Sequence, residues 1–304
     1  MTPVLLALDW GTSSLRGYAM ASDGSVISQR AQTLGIMYVA DGDFPGALRQ
    51  FCGDWLDDAP AAALIASGMI GSKQGWREAP YCPCPTNAAS IAASIIAVNS
   101  VGGRTLRIVP GVSQVDIASD VPDVMRGEET QIIGAVPDAG THLVVLPGTH
   151  SKWASVNNGV IEHFSSWMTG EVYAALTGHT ILGRLIRTDA PHDDEAFARG
   201  VRYGFDEPAQ LLSRIFSART LGLFERLEPA ALASYLSGML IGAEIGGATG
   251  MSGEPAGVLL LGSKPLTDRY RSACSVVGLT ASIGSESSAA HGLYRLARAA
   301  HLLD

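Results

Sequence analysis

The chain has 304 residues, 47% hydrophobic and 16% charged, which is enough apolar surface for one large or two modest domains and excludes a mainly disordered chain. A formal charge of -8 excludes the basic footprint of a nucleic-acid binder. No run of about 18 apolar residues lacks a charge or a turn, so no membrane-spanning helix and no membrane partner is expected; the most apolar stretch, 235–250, carries Glu244 and is rich in glycine.

The N-terminal apolar run has no basic residues before it and is interrupted by Asp9, which argues against a signal peptide. Four cysteines, Cys52, Cys82, Cys84 and Cys274, show no zinc spacing, because Cys82-Pro83-Cys84 has no second pair. They read as reduced thiols, and a cytoplasmic location is expected.

In chain order, residues 4–8 read as a buried strand ending at Asp9, 15–20 as a second strand, and 26–32 as a third after an Asp23-Gly24 turn. Residues 44–56 fit an amphipathic helix whose apolar face is Phe44, Leu48, Phe51 and Trp55. A strand at 62–67 leads into a loop at 68–81, and another strand covers 106–109. A helix over 128–136 opens on two acids, and a strand at 143–146 meets Pro147-Gly148. Helices are predicted at 171–185, 196–203, 208–220 and 228–247, a strand at 258–261, and helices at 267–277 and 287–303. Within 228–250, Ser234, Gly238, Gly242, Gly246 and Gly250 recur at every fourth residue, a ridge that suits close packing on another helix.

The first strand-loop-strand-turn-strand unit has an echo half a chain later. Leu8-Asp9-Trp10-Gly11-Thr12-Ser13-Ser14 with its Asp23-Gly24 turn is matched by Leu146-Pro147-Gly148-Thr149-His150-Ser151 with an Asn158-Gly159 turn. Such a repeat argues for duplication and two domains. Glycine lets a phosphate approach the backbone, and consecutive N–H groups form an anion nest. The hydroxyls of Thr12, Ser13, Ser14, Thr149 and Ser151 add donors. Two such loops suit a nucleoside triphosphate, and Asp9 beside the first could hold Mg²⁺ through water or serve as a turn residue. The Walker, dinucleotide, nucleophile-elbow and zincin motifs are all missing, and seven histidines show no metal-ligand spacing.

Asp9-Trp10-Gly11-Thr12-Ser13-Ser14-x-Arg16 resembles the first phosphate motif of the sugar kinase, hexokinase, Hsp70 and actin superfamily. Leu146-Pro147-Gly148-Thr149-His150-Ser151-Lys152-Trp153 is similar to its second, and Leu259-Leu260-Leu261-Gly262-Ser263 to its adenosine motif. More narrowly, three strings resemble the 2-dehydro-3-deoxygalactonokinase family: Gly68-Met69-Ile70-Gly71-Ser72-x-x-Gly75-Trp76-x-x-Ala79-Pro80-Tyr81, Val124-Met125-Arg126-Gly127-Glu128-Glu129-Thr130-Gln131, and Met168-Thr169-Gly170-Glu171.

The resemblance implies an α/β chain with the two-domain actin-like ATPase (ribonuclease H-like) fold, each domain a mixed five-stranded sheet with flanking helices and a nucleotide cleft between. Residues 1–139 with the returning C-terminal helix 285–304 would form the sugar-binding and first phosphate domain, and 140–284 the nucleotide-binding domain. It also implies phosphorylation of 2-dehydro-3-deoxy-D-galactonate at its 6-hydroxyl, with ATP and Mg²⁺, in galactonate catabolism.

By this resemblance Gly11, Thr12, Ser13, Ser14, Gly148, Thr149, His150, Lys152, Gly262 and Ser263 contact nucleotide, and Asp9 the metal. Ser72, Trp76, Arg77, Tyr81, Arg126 and Glu171 contact the sugar acid. Related kinases place a catalytic aspartate at the start of the helix before the second phosphate hairpin. Here that slot holds Glu128 and Glu129, so either is the candidate base, with Asp116, Asp120 and Asp123 as outside alternatives. Only three of 21 basic residues are lysines. Lys152 falls within a motif, whereas Lys73 and Lys264 read as solvated loop residues. A kinase for a related aldonate or a neutral ketose, or a non-enzymatic actin-like ATP-binding or sugar-sensing protein, remains as an alternative, and a homodimer is compatible with the sequence.

Overall fold

Backbone pairing turns the first apolar segments into a mixed sheet. In the computed structural model, which describes residues 2–116, 120–252 and 257–303, β1 (Leu5–Trp10), β2 (Leu15–Met20) and β3 (Val26–Gln32) form an antiparallel meander. Met1 and Asp304, the ends of the expected ranges, lie outside the described residues. Helix α1 (Phe44–Asp58) starts where the Asp43 carboxylate accepts from Gly46 N at 2.9 Å, a normal N-cap. Its Phe44, Leu48, Phe51 and Trp55 are all buried, packed with Leu6, Leu8 and Trp10. Gly17 on β2 admits this helix, since a Cβ there would lie 2.6 Å from the Phe51 ring.

Strand β4 (Ala63–Ser67) runs parallel to β1 and pairs Ser67 with Asp9. Beyond it come β5 (Tyr81–Pro83), α2 (Ala88–Ala93), β6 (Ile96–Asn99), β7 (Thr105–Ile108), β8 (Gly111–Asp116), β9 (Val121–Met125) and α3 (Glu128–Ala135). The sheet order is β3-β2-β1-β4-β7-β6. The first sheet therefore has six strands rather than the expected five, because β6 adds antiparallel to β7 at the edge. Strands β5, β8 and β9 make a separate three-stranded sheet. Asp116 and Asp120 are exposed at the far end of its β8–β9 ribbon, and Asp123 lies on β9.

The second half repeats the plan. Strands β10 (Thr141–Leu146), β11 (Ser151–Asn157) and β12 (Val160–Trp167) are followed by α4 (Thr169–His179), α5 (Asp194–Asp206), α6 (Leu211–Arg214), α7 (Ser217–Leu223), α8 (Leu232–Ser252), β13 (Val258–Leu260), α9 (Lys264–Val276), β14 (Ala281–Ile283) and α10 (Ser288–Ala299). The order β12-β11-β10-β13-β14, with β13 parallel to β10, matches the β3-β2-β1-β4 core of the first sheet. The echo in sequence is thus an echo in topology. Helix α4 stops short of the expected 171–185 because the chain turns back on it: a Cβ at Gly183 would lie 1.9 Å from Thr177 O. The expected helix at 208–220 is broken into a 3-10 turn, α6 and α7. The Ser217 hydroxyl donates to Arg214 O at 2.6 Å, the local side-chain bonding that competes with a continuous helix.

The chain divides into two compact units. One is Met1–His142, Ser155–Phe164 and Ser285–Asp304; the other is Leu143–Ala154 and Ser165–Gly284. This division departs from the expected ranges at 140–142 and at Ser155–Phe164, which both join the first unit. There Asn158 N donates to Gly140 O at 2.8 Å, and Thr86 and Ile161 exchange backbone hydrogen bonds. Helix α10 packs on α3 through two glycines: a Cβ at Gly292 would lie 1.8 Å from Thr130 O, and one at Gly134 1.9 Å from Ser288 O.

In the other unit the small-residue ridge of α8 faces α5, as its spacing predicts. Cβ atoms at Gly238 and Gly242 would lie 2.1 Å from the carbonyl oxygens of Phe197 and Val201. The obstacle is backbone, which cannot rotate away. Gly242→Ala is expected to destabilise the protein by about 1–3 kcal/mol, read as a lower thermal midpoint; an unchanged midpoint contradicts this packing.

Candidate active site

Strands β1, β4 and β7 are parallel, so their C-terminal ends share one edge of the first sheet. Asp9 sits there with its side chain 15% exposed, and Arg16 reaches it at 3.3 Å. Burial pushes its carboxyl up, against the pull of Arg16. Its strand neighbour Ser67 is buried, and its hydroxyl has no protein partner. The following loop is closed by Gly11 N donating to Ser14 O at 2.9 Å, and Thr12 O accepts from Met37 N at 3.2 Å. Thr12 and Ser13 are exposed.

The next loop is built around glycines. Gly68 has φ +92°, and a Cβ there would lie 2.9 Å from Trp10 O and 3.5 Å from Asp9 Oδ1. Gly127, with φ +108°, caps α3 and lies against Gly68, its virtual Cβ 3.2 Å from Gly68 Cα. The start of α3 is thereby brought beside Asp9. Glu128 Oε2 accepts from Arg126 N at 2.9 Å and the side chain keeps partial exposure. Glu129 is fully buried; its oxygens accept from Gly127 N at 2.7 Å and from the Thr130 hydroxyl at 2.9 Å.

Burial first, and then the Glu128 carboxylate beside it, pushes Glu129 from 4.5 up to about 8. An acid raised in the fold favours folding below its unfolded value and loses that contribution as pH rises through the folded one. The wild type is therefore expected to lose stability between pH 4.5 and about 8 from this group. Glu129→Gln should show a stability advantage over wild type that grows with pH in paired denaturant titrations; a constant difference contradicts the assignment.

Arg126 is 9% exposed. It donates to Ala79 O at 2.8 Å, and its guanidinium lies 4.2 Å above the Tyr81 ring centroid. Its Nε and a second terminal nitrogen have no protein partner, nor does the hydroxyl of buried Ser72. Unpaired buried donors are costly, and here they border one loop, since a Cβ at Gly71 would lie 3.0 Å from the unpaired terminal nitrogen. Trp76 is half-buried and stacked on Phe44, ring centroids 6.0 Å apart, so one ring face is covered by the core. Arg77 is exposed.

In the second unit, Gly148, Thr149 and His150 lie between β10 and β11. A Cβ at Gly170 would lie 2.5 Å from Gly148 O, and Glu171 N donates to Thr149 O at 3.0 Å. His150 Nε2 bonds the Glu171 carboxylate, so the Met168-Thr169-Gly170-Glu171 string packs against the loop of Gly148, Thr149 and His150. Lys152 is buried on β11. Gly262, φ +146°, follows β13 with its virtual Cβ 3.6 Å from Pro147 O, so Gly262 and Ser263 share an edge with that loop. Ser263 begins α9, where Lys264 pairs with Asp268 at 2.6 Å; Lys73 is exposed.

Ser67, Thr169, Gly170 and the buried Glu244, whose Oε2 accepts from the Tyr270 hydroxyl at 2.7 Å, were not among the sequence candidates. A charge inside a glycine-rich apolar helix was the signal for Glu244.

No described group of three or more His, Cys, Asp and Glu residues could hold a metal. What Asp9 and the unpaired Ser67 hydroxyl offer is a small oxygen set. That suits Mg²⁺, which is held by one or two carboxylates, waters and phosphate oxygens. The four cysteines are free, and no described helix is long and apolar enough to cross a membrane.

Comparison with known proteins places these residues in context. A Rhizobium meliloti (strain 1021) protein bearing the name probable 2-dehydro-3-deoxygalactonokinase is 38% identical over 299 residues, 96% of each chain. An Escherichia coli (strain K12) 2-dehydro-3-deoxygalactonokinase is 32% identical over 279 residues, 91% of each. A crystal structure from Sinorhizobium meliloti bearing the same enzyme name superposes with TM-score 0.88 at 38% identity, covering 97% of this chain and 98% of that one. The profile of the 2-keto-3-deoxy-galactonokinase family matches residues 9–296, which span every motif described above, and the chain belongs to that family.

Proposed function

We propose that the chain transfers the terminal phosphoryl group of ATP to the 6-hydroxyl of 2-dehydro-3-deoxy-D-galactonate, a cytoplasmic step of galactonate catabolism. The observation that carries this reading is the edge of the first unit, where a buried arginine with unused donors borders the loop that holds Ser72, and the Glu128 helix start abuts the loop beside Asp9. An acid sugar supplies the carboxylate that Arg126 and Ser72 lack, with Tyr81 holding the guanidinium flat and Arg77 and Trp76 bordering the loop. Glu128 takes the proton of the attacking hydroxyl. Phosphoryl transfer otherwise needs positioning and charge stabilisation.

In the actin-like reading the first unit, residues 1–142, 155–164 and 285–304, binds sugar, and the second, 143–154 and 165–284, binds nucleotide. In this reading Gly11, Thr12, Ser13 and Ser14 of the first unit bind phosphate, as do Gly148, Thr149, His150 and Lys152 of the second. Gly262 and Ser263 serve the adenosine, and Glu171 orients His150. Asp9 would hold Mg²⁺ through water, and the bound ion offsets charge on the phosphates.

Lys152 supplies a compact positive charge for phosphate oxygens. Lys152→Ala is expected to raise the KM for ATP by about tenfold or more, a lost charged hydrogen bond, with the KM for sugar acid little changed. Unaltered ATP kinetics would remove Lys152 from the site. The reaction itself is tested by phosphorus NMR of the product formed from ATP and the sugar acid. A primary phosphate ester at C6 is expected, and an ester elsewhere or none refutes the reading.

A further inference from the structure

We propose that Glu244 is a positioning residue that holds the two nucleotide loops of the second unit in register; this rests on the reading that those loops bind ATP. Glu244 lies in the middle of α8, 1% exposed. Its Oε1 accepts from Trp153 Nε1 at 2.8 Å, and its Oε2 accepts from the Tyr270 hydroxyl at 2.7 Å. The Tyr270 hydroxyl is also 2.9 Å from Ser151 Oγ, and the neighbouring Thr169 and Ser151 hydroxyls help to pull the Glu244 carboxyl down.

These four partners come from three elements, and each element adjoins a nucleotide loop. Ser151 directly follows Gly148, Thr149 and His150, and Trp153 is two residues further along β11. Thr169 precedes Gly170, which lies against Gly148 O. Tyr270 is on α9, the helix that begins at Ser263 after Gly262. One carboxylate therefore ties the phosphate loop, the turn supporting it and the adenosine helix together.

An apolar residue would fill this place at less cost, since a buried carboxylate must be fully hydrogen-bonded to be tolerated. What leucine cannot provide is several acceptor sites at fixed angles. A fully satisfied buried network specifies one arrangement of its members. Burial pushes the Glu244 carboxyl and the Tyr270 phenol upward, while the donors around Glu244 pull its carboxyl down.

The test compares Glu244→Leu, Glu244→Gln and Tyr270→Phe with wild type in steady-state kinetics, thermal melting and calorimetric titration with ADP. Glu244→Leu should raise the KM for ATP about tenfold or more, since small misplacements of positioned groups cost up to about 10²-fold. The KM for the sugar acid should stay within about twofold of wild type by the same logic. Glu244→Gln, which keeps one acceptor, should fall between Glu244→Leu and wild type, and Tyr270→Phe should weaken ADP without a matching change for the sugar acid. If Glu244→Leu does not fold, Tyr270→Phe decides. ADP affinity and ATP KM unchanged in folded variants, or both KM values rising together, overturns the proposal. A wild type that binds no ADP instead overturns the reading of the loops.

Discussion

Glu128→Gln is expected to lower kcat by about 10²-fold or more, the range for loss of a general base, with both KM values close to wild type. Glu128 and Glu129 are adjacent in sequence but not equivalent in space. Glu129 is fully buried, its oxygens engaged by Gly127 N and Thr130, and it keeps its proton up to about pH 8. Glu128 retains exposure at the first turn of α3, next to the Gly127–Gly68 contact that leads to Asp9. Carboxylates at a helix N-terminus are also favoured by the helix dipole, by about 0.3–1 kcal/mol, so a small stability change is compatible with either role. Turnover discriminates. Near-normal kcat in Glu128→Gln, or a larger loss in Glu129→Gln, rejects the assignment.

Arg126→Ala is expected to lower kcat/KM for the sugar acid by about 10²-fold or more, as for truncation of one partner of a buried charge pair. The KM for ATP should be unaffected. The guanidinium is fixed by its hydrogen bond to Ala79 O and by the Tyr81 ring beneath it, which leaves two nitrogens for a ligand carboxylate. Arg126→Lys should recover little, because an ammonium cannot present that planar fork. The decisive comparison is with neutral sugars. An equal loss for them shows that Arg126 supports the loop rather than reading the carboxylate.

Much of the first unit was legible because its signals are local. A continuous apolar run ending at Asp9 and an Asp-Gly turn outline β1 to β3, and the Phe44, Leu48, Phe51, Trp55 spacing outlines α1. The elements that escaped are set by tertiary pairing. Strands β5 and β14 have three residues each, β9 contains Pro122 and Asp123, and β8 and β9 expose Val115, Val121 and Val124. Strands this short or irregular give little sequence signal of their own. The expected five-stranded first sheet lacked β6, which has only four residues, Ile96–Asn99.

For the site, the glycine-rich strings mark loops that the structure places at the strand ends, but not the environment of each residue inside them. Arg77 and Arg126 look alike in sequence, yet one is exposed and the other buried with unused donors. Trp76 stands in a string expected to contact the sugar acid, and only the structure shows that one of its ring faces is taken by Phe44. Glu244 reads as no more than a break in an apolar run. Its partners Trp153 and Tyr270 lie 91 and 26 residues away, a separation that no local pattern reports.

The most direct measurement is ADP release, followed by a coupled assay with ATP and Mg²⁺, across 2-dehydro-3-deoxy-D-galactonate, its gluconate-derived epimer, other aldonates and neutral ketoses. Sugar-dependent release should be greatest with the galactonate-derived acid, and neutral ketoses should be poorer by about 10²-fold or more in kcat/KM, the cost of leaving a buried charged site unpaired. Equal use of a neutral ketose, or release that no sugar stimulates, would contradict the account.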